Sequence, residues 1–117
     1  MSEKAATTSF PFSTSQDVAL SQWSLAVGDT ATPIKLGVYS DRTVQVAGTF
    51  GGATVTLQGS NNDVGYHTLT DPQGNALSFS AAGLETVMEL PFFIKPVISG
   101  GDGTTALDII LSGRRSI

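Results

Sequence analysis

The stretch TVQVAGTFGGATVTLQG, residues 43–59, decides the fold class. Within it Val44, Val46 and Phe50 fall on one side of an extended chain, and Thr43, Gln45 and Thr49 on the other. Past Gly51-Gly52 the pattern resumes, with Ala53, Val55 and Leu57 alternating with Thr54, Thr56 and Gln58. Apolar residues at every second position put one face of a strand in a core and the other in water. Two such runs joined by a glycine pair read as a β-hairpin.

Outward from this stretch the texture persists. Residues 18–27, 34–39, 66–70, 76–80, 92–99 and 104–112 are short runs rich in β-formers. They are separated by Gly28-Asp29, Ser40-Asp41, GSNNDVG (59–65), DPQGN (71–75) and GGDG (100–103), the last read as a hairpin loop. Residues 81–90 hold the one candidate helical turn, weakened by Gly83 and stopped by Pro91. About eight short strands with almost no helix describe a β-sandwich or a small barrel. Val44, Val46, Phe50, Val55, Leu57, Leu107, Ile109 and Leu111 hold the apolar phase and are the expected core. Residues 1–17 show no period. They read as an extended N-terminal arm rather than an element, with residues 18–117 as the domain. Phe10 and Phe12 around Pro11 make sense on such an arm if it docks on a partner.

The chain has 117 residues, one domain's worth, and 14% charged residues, well below the roughly 25% usual for soluble domains. Hydroxyls fill the gap, with 13 Ser and 14 Thr beside 13 Gly. Ten acids against six bases give a net charge of −4, and Arg114-Arg115 is the longest basic run. Phosphate recognition needs clustered Lys and Arg, so nucleic acid is not the expected partner. The absence of cysteine excludes disulfides, thiolate metal sites and thiol nucleophiles. No apolar run approaches 18 residues and no hydrophobic signal core opens the chain, so neither a membrane span nor an export signal is expected.

Residues that could carry chemistry are few. His67 is the one histidine, and no nucleophile or metal motif accompanies it, so it reads as a surface or edge position. Asp63, Asp71 and Asp102, with Asn61, Asn62 and Asn75, could offer oxygens to Ca²⁺, but their order fits no EF-hand and they read as turn formers. Glu85 and Glu89 lie four apart without an acid partner or platform, and read as a solvated or interface face. Gly100 to Gly103 lack the lysine and helix of a phosphate loop. Trp23, Tyr39 and Tyr66 could form a sugar-stacking surface, but core or interface packing is the commoner use of such rings. No catalytic residue, cofactor or metal is expected.

One longer pattern goes further. VQVAGTF (44–50), ATVTLQGSN (53–61), YHTLTDPQGNAL (66–77), AAGLE (81–85) and FIKP (93–96) together resemble the small head decoration proteins, or cement proteins, of tailed bacteriophages, especially short-tailed ones. The resemblance covers about residues 23–111. It implies a jelly-roll β-sandwich without enzymatic activity. Such a protein binds the outer surface of the head, bridges neighbouring major capsid subunits and often acts as a dimer or other homo-oligomer. It also implies a virion location, with synthesis in the host bacterial cytoplasm. On that reading Phe10, Pro11, Phe12, Trp23, Arg114 and Arg115 are the candidate capsid-binding residues. An Asn/Gly turn followed by an aromatic, as at residues 61–66, also resembles discoidin-like carbohydrate-binding modules. The alternative is therefore a carbohydrate-binding module of a phage tail or host-facing protein.

Overall fold

The computed structural model, which describes residues 3–9, 18–35 and 39–115, turns the alternating stretch into two strands that do not pair with each other. Among the described residues the strands are β1 (Glu3–Lys4), β2 (Thr7–Ser9), β3 (Val18–Ala26), β4 (Thr30–Ala31), β5 (Ile34–Lys35), β6 (Tyr39–Thr49), β7 (Ala53–Ser60), β8 (His67–Thr68), β9 (Ser78–Phe79), β10 (Gly83–Val87), β11 (Phe93–Gly100) and β12 (Ala106–Arg115). Partners come from opposite ends of the sequence: β3 with β12, β5 with β11, β6 with β10, and β7 with both β8 and β9, all antiparallel. Two further ladders, β12 with β6 and β11 with β7, join these pairs into sheets ordered β10-β6-β12-β3-β2 and β5-β11-β7-β8. A chain folded back on itself near β7–β8 and then rolled into two sheets is the jelly roll.

The two sheets bury their inner faces on each other. Along β3, Ala19, Ser21, Trp23 and Leu25 are buried; along β12, Leu107, Ile109 and Leu111; along β7, Ala53, Val55 and Leu57. Seven of the eight expected core residues are 0–1% exposed, whereas Phe50 packs only partly against the core. It is the last residue before the turn, at the end of the sandwich, and stays half-buried there. Trp23 is fully buried, and its indole N–H donates to Thr32 O at 2.9 Å, as a buried indole requires.

Five expectations need correction. Gly51 and Gly52 do make a tight turn (φ 58° and 87°), closed by Ala53 N–H to Phe50 O at 2.9 Å, but it is an arch between sheets and not a hairpin. Residues 101–105 arch the same way from β11 to β12, and Thr105 Oγ1 ties the two arches by donating to Phe50 O at 2.9 Å. Both strands of residues 43–59 carry an apolar face toward one core, and facing each other buries both faces where lying side by side would need a further layer. Residues 81–90 hold no helix: β10 forms instead, because β6 offers a full antiparallel partner from Gly83↔Val46 to Val87↔Arg42. Ser40-Asp41 does not stop a strand, since β6 runs through it opposite the end of β12. Residues 3–9 are extended as expected, yet they are elements: β1 lies parallel to β4, and β2 is added antiparallel to β3.

Candidate functional site

The acids singled out by the sequence sit in separate turns, each bonded to its own loop. Asp71 is buried and accepts the backbone N–H of Asn75 and of Gln73, both at 2.9 Å, and the Asn75 bond leads in holding its carboxyl below the usual range. Asp102 accepts the Thr104 hydroxyl at 2.6 Å and its N–H at 2.8 Å, and those bonds likewise lower its carboxyl. Asp63, at φ 60°, accepts the Tyr66 hydroxyl; desolvation first and then this carboxylate push the phenol up to about 12. His67 is exposed at the β8 edge. Trp23 and Tyr39 lie in the core, so they form no stacking surface with Tyr66, and Trp23 has no area to offer a capsid. Phe10, Pro11 and Phe12 lie outside the described residues, as does the side chain of Arg115.

A different segment presents apolar surface. Residues 88–92 cross from β10 to β11 at the end of the sandwich opposite the Gly51-Gly52 arch. Met88, Leu90 and Phe92, at alternate positions, are 59%, 54% and 46% exposed, and Leu84 on β10 continues the row at 63%. The intervening residues tie the segment down. Glu89 accepts the Thr70 N–H at 2.8 Å and also the Thr70 hydroxyl. Desolvation acts to raise the Glu89 carboxyl, but the Thr70 bonds outweigh it and leave it below its ordinary value. Pro91 packs against Gly59, where any Cβ would overlap the proline ring. The Pro91 carbonyl accepts Arg42 Nη1 at 3.1 Å, and Arg42, almost fully buried, also donates from Nε to Tyr39 O at 2.9 Å. The ends are bonded as well: Met88 N–H to Thr70 O at 2.9 Å, and Phe92 N–H to Asn61 Oδ1 at 3.0 Å.

The segment is thus a ridge, held from behind at Met88, Glu89, Pro91 and Phe92, with apolar side chains directed outward. A groove of ≈ 470 Å³ runs beside it, lined by Arg42, Thr86, Met88, Leu90, Ser112 and Arg114. Of the sequence-predicted partner residues whose side chains are described, Arg114 lines this site and Trp23 does not. Reading residues 81–90 as a helical turn hid the ridge. The signal that could have found it is the period-2 run Met88, Leu90, Phe92 around a proline that no helix tolerates. Comparisons with protein-family models, with curated proteins and with solved structures found no match.

Proposed function

We propose that the protein is a non-enzymatic decoration protein of a phage head, attached to the outer surface of the capsid through the ridge of residues 88–92 and bridging neighbouring major capsid subunits. The ridge carries the reading. Apolar side chains half-exposed on a mobile loop would be a liability, but on a segment already bonded into place they meet a partner without further ordering cost. The sequence resemblance supplies the partner.

Magnitudes support a multivalent attachment. Covering the remaining surface of Met88, Leu90 and Phe92 is worth about 1 kcal/mol each, roughly half of full burial. Association costs on the order of 4–15 kcal/mol, so the ridge does not hold one molecule by itself. A second contact or a homo-oligomer adds the rest as avidity, which is what bridging of capsid subunits provides.

The test is co-sedimentation of the full chain with expanded heads that lack the decoration protein. Binding that Leu90→Asp abolishes supports the reading. Absence of binding, together with retention on a glycan array, would replace it with the carbohydrate-binding alternative.

A further inference from the structure

The outer face of the β5-β11-β7-β8 sheet meets the ridge at Phe92, whose ring stands edge-on to Phe93 with centroids 4.9 Å apart at 86°. Phe93 is registered opposite Lys35 of β5, and Lys95 follows two residues along β11 on the same face. The Lys35 amine lies 5.5 Å from the Phe93 centroid, and the Lys95 amine 4.3 Å from that of Tyr66. Among the described residues these rings are the amines' only partners, in a chain with ten acids and six bases. Of the carboxylates at this end, Asp63 accepts the Tyr66 hydroxyl, Glu89 accepts the Thr70 N–H and hydroxyl, and Asp41 lines the groove with Arg114. Among the described residues none of them pairs with either lysine. Cation–π contact restrains each ammonium without neutralising it. The two lysines lie on adjoining strands of one face, one diagonal step apart in register, a relation that places backbone positions roughly 7–8 Å apart.

We infer that this row is the receptor for an acidic segment of the partner protein. Carboxylates at alternate positions of an extended stretch meet Lys35 and Lys95 while an apolar neighbour covers Phe92. The inference rests on the docking reading above and adds the chemistry of the partner. Two amines beside an apolar ridge, in a chain of net charge −4, suit a peptide that is acidic and apolar together; a polyphosphate strand would need more cations.

The experiment measures fluorescence anisotropy of labelled poly-L-glutamate with the full chain at low salt, alongside a labelled single-stranded DNA and the head co-sedimentation assay. Lys35→Glu and Lys95→Glu should each weaken poly-L-glutamate binding about fivefold or more, and the double variant more still. Lys4→Glu makes the same charge change on β1, beside Asp29 and Asp108, and should leave binding within about twofold. Absence of poly-L-glutamate binding, equal losses in Lys4→Glu, or DNA binding as tight as poly-L-glutamate would overturn the inference. If the row variants lose poly-L-glutamate while the unaltered protein ignores heads, the receptor stands and the capsid reading falls. If unaltered and row variants bind heads and poly-L-glutamate alike, the capsid reading stands and the receptor falls.

Discussion

The two ends of the sandwich are both tied by loop hydrogen bonds and carry opposite surface chemistry. At one end the arches of residues 50–53 and 100–105 are tied by Thr105, whose hydroxyl donates to Phe50 O and accepts Asp102 N–H, and by Asp102 on Thr104. What they present outward is glycine, threonine and carboxylate. At the other end residues 88–92 are tied too, yet present Met88, Leu90 and Phe92. Rigidity alone therefore marks no site in this fold. Rigidity combined with exposed apolar side chains does, because only there does covering the surface lower the free energy without new ordering.

The core that both ends share sets the upper reference. Leu57→Ala, at a position 1% exposed between the sheets, should cost about 2–5 kcal/mol in chemical denaturation. A loss under about 1 kcal/mol would mean that the ends, and not the core, hold the molecule together.

Next come the ties at each end. Arg42→Gln removes a buried guanidinium from the carbonyls of Tyr39 and Pro91, and charged hydrogen bonds of this kind are worth about 1.5–3 kcal/mol each. Hydrogen exchange at the Phe92 amide should quicken in that variant, with no change at Thr105. Thr105→Val at the opposite end should cost about 1–3 kcal/mol and leave the ridge amides protected. Simultaneous loosening of both ends by either change would break the comparison.

Acid should weaken both ends together. Asp71, Glu89 and Asp102 are all held below their ordinary values, so the unfolded chain takes up their protons first. Their stabilisation is present above the ordinary carboxylate range, about pH 4–4.5, and is lost as pH falls through the lower folded values. Thermal melts between pH 7 and pH 3 should show that decline, and Asp71→Asn should flatten part of it.

The smallest expected effect on stability is at the ridge itself. Leu90→Ser should change folding by no more than about 0.5 kcal/mol, since the residue is more than half exposed, while reducing retention on heads. Asp102→Ala at the other end should do the reverse, lowering stability with head binding intact.

What the sequence determined by itself was short-period order in the long strands and turns, though not the period-2 run of Met88, Leu90 and Phe92. The phases of β6, β7 and β12, the seven core residues and the turns at Gly51-Gly52, Asp71 and Asp102 were legible because alternation and turn chemistry act over two to five residues. The tertiary structure alone decided which strands pair. Residues 43–59 would serve equally as a hairpin or as an arch, and the choice was made by β12 and β11, some 50 residues away, which offer longer ladders and a facing apolar layer. It likewise decided that residues 83–87 are a strand, since a weak helical segment takes whichever backbone partner an open edge provides. Exposure followed the same rule. Trp23 and Phe92 are both large aromatics in β-rich runs, but the former sits mid-strand between the two sheets and the latter where the chain leaves one sheet for the other. Burial depends on how much neighbouring surface remains to cover a side chain, and that is a property of the assembled fold and not of any window of sequence.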